Sequence, residues 1–174
     1  LTKDFDAVMF VGYHSTSRSN GNTLSHTMST SIVEAKVNGN IISEFDINAW
    51  YAATLNIPIV FVSGDEALCG YVKENLKNCV CVATKKGIHG ACLSAHPSVS
   101  NQAIEDGAFD ALKNLDKATV HALPKNFDVT IQYKTHQQAY RASYYPGCYL
   151  VSSDTIGFKH SNYEEVLRMF HFNL

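Results

Sequence analysis

The sequence contains no Cys-x-x-Cys pair, no basic cluster longer than Lys85-Lys86, no glycine-rich phosphate loop and no Gly-x-Ser-x-Gly elbow. The last two absences argue against nucleotide-dependent and serine-hydrolase chemistry. Neither sign of charge dominates: 14 Lys plus Arg face 16 Asp plus Glu, a net charge of -2, so nucleic acid and anionic membrane are poor partners. Cysteine comes as an odd five, at 69, 79, 81, 92 and 148. Cys79 and Cys81 share one face of a strand, where their side chains run too nearly parallel to bridge. These residues read as small core hydrophobes of a reducing, cytoplasmic compartment. There is no linker, repeat or low-complexity segment, which predicts one domain. The chain starts at Leu1 without methionine, and no targeting leader precedes its first apolar run. That start reads as a cut inside a domain.

What is present is ordinary for a globular chain. Of 174 residues, 45% are apolar and 17% charged, which excludes disorder, collagen and a disulfide miniprotein. A chain of 19.2 kDa buries about 70% of its unfolded surface, so its core needs no metal staple.

Apolar runs and helical patterns alternate from end to end, predicting an α/β fold with a mostly parallel sheet flanked by helices. Residues 5–11 read as a first, buried strand. Tyr13 to Thr23 is polar loop, and residues 32–42, with Asn38-Gly39 at the turn, read as a β-hairpin. Ser43 caps a helix with Asp46 three residues on, Phe45, Ala49, Trp50 and Ala53 recur at helical spacing, and the helix stops at Asn56 before Pro58. Strands follow at 59–62 and 80–84, separated by a helix to about Leu76. Residues 98–115 form a long amphipathic helix with Val99, Ala103, Ala108, Ala111, Leu112 and Leu115 inward. A strand at 127–133, a short helix at 136–143, strands at 149–151 and 155–158 and a last helix from Asn162 complete the chain.

Three residues stand out as chemistry. His14 directly follows the first strand, where ligands bind beyond the carboxyl ends of parallel strands. It is either a hydrogen-bonded loop residue or a nitrogen ligand for zinc. His26, among hydroxyls in Leu24-Ser25-His26-Thr27-Met28, is either a polar loop residue or a general acid and base. Glu44 opens a helix, where a carboxylate complements the dipole or could ligate a metal. Asp65-Glu66 reads equally as a helix start. His89 and His96 match no recognised zinc spacing, although His89 is a weak candidate for lining a substrate site. His121, His136, His160 and His171 read as surface or structural residues.

Taken in order, Phe10-Val11-Gly12-Tyr13-His14, Leu24-Ser25-His26-Thr27-Met28, Val37-Asn38-Gly39-Asn40, Ser43-Glu44-Phe45-Asp46-Ile47-Asn48-Ala49 and Pro58-Ile59-Val60-Phe61-Val62-Ser63-Gly64-Asp65 resemble the D-aminopeptidase (DppA-like) zinc peptidase family. The likeness is strongest over residues 5–97. It implies two zinc ions per active site, with His14 and Glu44 as ligands and His26 as the catalytic histidine beside them. Such a site polarises a peptide carbonyl and lowers the pKa of a bridging water. The family's N-terminal Asp-x-Glu pair and Asn-Asp-Ser-His motif, which supply further ligands, do not occur here. The resemblance therefore implies that residues 1–174 are the C-terminal portion of one metallopeptidase domain, its N-terminal segment lost or carried on a separate chain. At His89, relatives tend to carry Arg.

The implied activity is hydrolysis of short peptides with an N-terminal D-residue, by a ring-shaped homo-oligomer. Exposed aromatics such as Tyr144-Tyr145 and Phe170-Phe172 would serve an interface or the core. Two other readings stay open: a noncatalytic, metal-free remnant that keeps the fold for oligomer assembly, and an amidase of the same chemistry with another amide substrate.

Overall fold

The computed structural model describes all of residues 1–174. The chain divides into two compact units. The first comprises Leu1–Ser15, Ser19–Ser25 and Asn48–Ala122, and the second Thr16–Arg18, His26–Ile47 and Leu123–Leu174.

The first unit is built on a four-stranded sheet in the order β1 (Val8–Tyr13), β4 (Ile59–Asp65), β5 (Val80–Ile88), β6 (Ala91–Ser94). β1, β4 and β5 run parallel, and β6 returns antiparallel to β5. The α/β class and the mostly parallel sheet flanked by helices are thus as expected. β4 is buried along its whole length, as an apolar run between two parallel neighbours must be. β1 differs from expectation: pairing begins only at Val8↔Ile59, and Val11 is 61% exposed because β1 is the edge strand, with a single neighbour. The strand expected at 80–84 runs further, as β5 continues to Ile88 and turns at His89-Gly90 into β6.

Helix α2 (Glu66–Asn75) buries Leu68, Cys69 and Val72, and packs on β4 and β5. Helix α3 (Pro97–Lys113) also packs there, through Ile104, Gly107, Ala108 and Ala111. Two of its expected inward residues are corrected: Val99 is 60% and Leu112 53% exposed. The reason is Gly107, where a Cβ would lie only 2.9 Å from both Phe61 and Val82. Its bare backbone sets the line of closest approach, and at about 100° per residue that rotates Val99 and Leu112 away.

The second unit holds a five-stranded antiparallel sheet, β3 (Asn40–Ile41), β2 (Ile32–Val37), β7 (Phe127–Tyr133), β9 (Thr155–His160), β8 (Tyr149–Leu150). The hairpin forms as expected, with positive φ at Asn38 and Gly39, the turn whose twist matches its strands. Buried Phe127, Val129, Ile131 and Tyr133 alternate along β7. Helices α4 (His136–Ala142) and α5 (Tyr163–Asn173) pack on this sheet. Phe170 is buried, whereas Tyr144 and Phe172 are about 70% exposed.

Helix α1 (Glu44–Thr54) carries the expected cap in full. The Ser43 N–H and hydroxyl both donate to Asp46 Oδ2 at 2.7 Å, and the Asp46 N–H returns to Ser43 Oγ at 3.3 Å. It ends where expected: Asn56 is left-handed, and the N–H groups of Asn56 and Ile57 close on the Ala53 and Ala52 carbonyls. No helix is long and apolar enough to cross a membrane.

Candidate metal centre

The carboxyl end of β1 delivers His14. Gly12, at a φ of 78°, turns the backbone, and its N–H donates to Ser63 Oγ at 3.1 Å. Tyr13 pairs with Gly64 so closely that a Cβ on Gly64 would lie 2.3 Å from the Tyr13 carbonyl oxygen. The Tyr13 ring stacks on Phe10, and its hydroxyl accepts from Asn48 Nδ2 at 3.1 Å. His14 is half-buried, with Nδ1 3.0 Å from the Ser15 carbonyl oxygen. A carbonyl only accepts, so this bond puts the proton on Nδ1 and makes Nε2 the unprotonated nitrogen.

His26 and Glu44 are held by a different set of bonds. Thr27, fully buried, donates its hydroxyl to the Ile42 carbonyl at 3.1 Å and accepts the Ser17 N–H at 3.3 Å, which anchors the chain next to His26. Met28, at a φ of 61°, donates its N–H to Glu44 Oε1 at 2.8 Å. The same oxygen lies 3.4 Å from His26 Nε2, with the two side chains 30% and 24% exposed. The Ser43–Asp46 cap fixes the first turn of α1 and so the stem of Glu44.

Within the second unit the structure sets His26 beside Glu44, and in the first unit it places His14 just beyond the end of β1. Two imidazoles and a carboxylate are a zinc-type donor set. The residues present therefore fit a metal ion.

The remaining histidines lie outside this group. His89 occupies the exposed turn between β5 and β6, at a φ of 52°. His96 caps α3, accepting the Ser98 N–H. His136 is the first residue of α4, and His160 ends β9 beside Asn162. Asp65 is the cap of α2, as its helix-start reading implied, accepting the Leu68 N–H at 2.8 Å. It also accepts the Ser15 N–H at 2.6 Å, a second bond that sequence reasoning missed. Nothing in Ser63-Gly64-Asp65 signals a partner 50 positions away.

The family model described as D-aminopeptidase matches residues 1–172. A D-aminopeptidase of Bacillus subtilis (strain 168) is 26% identical over 158 residues, covering 89% of this chain and 57% of the relative. A solved structure, described as the Zn-dependent D-aminopeptidase DppA from Bacillus subtilis, a self-compartmentalizing protease, superposes with a TM-score of 0.90 at 23% identity. That superposition covers 99% of this chain and 63% of the other. This chain thus spans about three-fifths of the length of the relatives it matches.

Proposed function

Because this chain belongs to the D-aminopeptidase family of peptidases, we propose that the protein is a zinc-dependent aminopeptidase or amidase hydrolysing short peptides, with preference for an N-terminal D-residue. The structural observation that carries this reading is the pairing of His26 with Glu44, Nε2 to Oε1 at 3.4 Å. His14 and Glu44 would hold the metal, as part of a two-ion site. Zinc bound there would polarise the scissile carbonyl and acidify the attacking water. Glu44 enters with Oε1 already tied to the Met28 N–H, so its carboxylate is oriented before a ligand arrives. Imidazole exchanges protons near neutral pH, and His26 is the group that takes the proton from the attacking water and returns it to the departing amine as the C–N bond breaks.

A catalytic zinc needs about three protein ligands, so two ions require more donors than His14 and Glu44. We assign the missing donors to sequence beyond these 174 residues, which would then be part of a single metallopeptidase domain. The match to only 57% of a relative's length supports that assignment. We further propose a ring-shaped homo-oligomer, in keeping with the self-compartmentalizing relative. A cytoplasmic setting is proposed from the five free cysteines.

The test is metal analysis of the full-length protein together with hydrolysis of D-alanyl and L-alanyl amides before and after chelation. Bound zinc, activity lost to the chelator and restored by zinc, and faster turnover of the D-amide are expected. Activity indifferent to chelation overturns the reading. Sedimentation of the same sample checks the oligomer.

A further inference from the structure

Asp65 is wholly buried, and each of its carboxylate oxygens has a separate task. Oδ1 accepts the Leu68 N–H and caps α2, while Oδ2 accepts the Ser15 N–H at 2.6 Å. The cap alone would need one oxygen, which serine or asparagine supplies about as well as aspartate. The second oxygen reaches the residue next to His14. Ser15 is itself buried and held at three atoms: its N–H by Asp65, its hydroxyl 3.2 Å from Ser25 Oγ, and its carbonyl by His14 Nδ1 at 3.0 Å.

We propose that Asp65 is a positioning residue for His14, acting through Ser15 to set the tautomer and direction of the imidazole. The proposal rests on the reading of His14 as a metal ligand and names what prepares it. A ring that donates Nδ1–H to a carbonyl is locked with Nε2 as its unprotonated nitrogen, and the lock holds only while that carbonyl keeps its direction. The Ser15 carbonyl keeps its direction because the preceding N–H is anchored on a carboxylate buried at the start of α2. Without that anchor the Ser15 N–H is left buried and unpaired, and the backbone on the carboxyl side of His14 turns to satisfy it. A charged acceptor makes a shorter and stronger bond than a neutral one. This accounts for aspartate where the cap alone would accept serine.

The experiment compares Asp65→Ser, which keeps a capping oxygen but cannot span both donors, with Asp65→Asn, which keeps the size but turns an amide N–H₂ toward one of the two N–H groups. In the full-length, metal-stripped protein, long-range nitrogen–proton NMR correlations of the His14 ring report its tautomer, and titration with zinc alone reports affinity. The native ring should be the Nδ1–H tautomer. Both variants should show mixed tautomers and bind zinc about 10- to 100-fold more weakly, the usual size of an outer-shell effect. Native tautomer and native zinc affinity in a folded variant overturn the proposal and leave Asp65 a helix cap. His14→Ala separates the two ideas: if it binds zinc as the native protein does, the metal reading of His14 fails, while the tautomer measurement still reports the Asp65–Ser15–His14 connection. Should Asp65→Ser fail to fold, Asp65→Asn alone decides, since it preserves volume and keeps an oxygen for one of the two N–H groups.

Discussion

His26 and Glu44 sit 3.4 Å apart, yet the proposed mechanism gives them different work, and substitution separates the two roles. Removing a general acid and base slows the chemical step by about 100- to 10,000-fold and leaves ligand donors in place. His26→Ala should therefore retain zinc while kcat collapses within that range. Glu44→Gln should lose zinc first, because a neutral amide is a poor ligand, and its activity should recover partly at high added zinc. Metal content measured beside kcat distinguishes the two; if His26→Ala loses zinc as fully as Glu44→Gln, His26 is a ligand and not the proton carrier. Around both residues the small polar side chains matter for direction more than for binding. Thr27 anchors the backbone next to His26 through its hydroxyl, and the Met28 N–H makes the Glu44 contact itself.

Two glycines set how closely elements approach, and they differ in what blocks a side chain. At Gly64 the obstacle is backbone: a Cβ would stand 2.3 Å from the Tyr13 carbonyl oxygen, at the joint between β1 and β4 that delivers His14. At Gly107 the obstacles are side-chain carbons of Phe61 and Val82 at 2.9 Å, which have some room to shift. Overpacking costs about 1–3 kcal/mol, whereas glycine to alanine within a helix returns about 1 kcal/mol. Gly107→Ala should thus be nearly neutral to about 2 kcal/mol destabilising. Gly64→Ala has no helical gain and no yielding neighbour, so it should cost about 3 kcal/mol or more and weaken zinc binding as well, because His14 moves with Tyr13. Urea denaturation of both variants checks the order; equal losses would refute the distinction between backbone and side-chain contact.

For the molecule as a whole, buried thiols couple stability to alkaline pH. Burial, with the nearby Cys81 adding to it, raises the Cys69 thiol from 9.0 to about 11, and burial raises Cys148 likewise from 9.0 to about 11. Between those values the unfolded chain has released protons that the folded chain still holds, so stability falls as pH rises. The contribution is complete below pH 9 and lost by about pH 11. Urea midpoints should decline through that window, and Cys69→Ala or Cys148→Ala should each flatten the decline relative to the native chain. An unchanged slope in both variants would mean the thiols are not responsible.

How much of this was legible in sequence depends on how far apart the interacting residues lie. The hairpin at Asn38-Gly39, the Ser43–Asp46 cap and the stop at Asn56 are local, each set by the conformational preference of a few adjacent residues, and all were readable. The α/β class followed from alternating periodicity, and His14, His26 and Glu44 were named from their motifs. The second, antiparallel sheet was not foreseen, because its centre pairs β2 with β7 across nearly 100 positions, and local pattern says nothing of which strands meet. The inward face of α3 is not legible in the sequence because Gly107, not the bulk of Val99 or Leu112, sets its contact line. The second bond of Asp65 was invisible for the same reason as the sheet. Local chemistry specifies turns, caps and donor types; the meeting of distant segments, which sets His26 beside Glu44 and ties Ser15 to Asp65, depends on long-range packing that no short window of residues encodes.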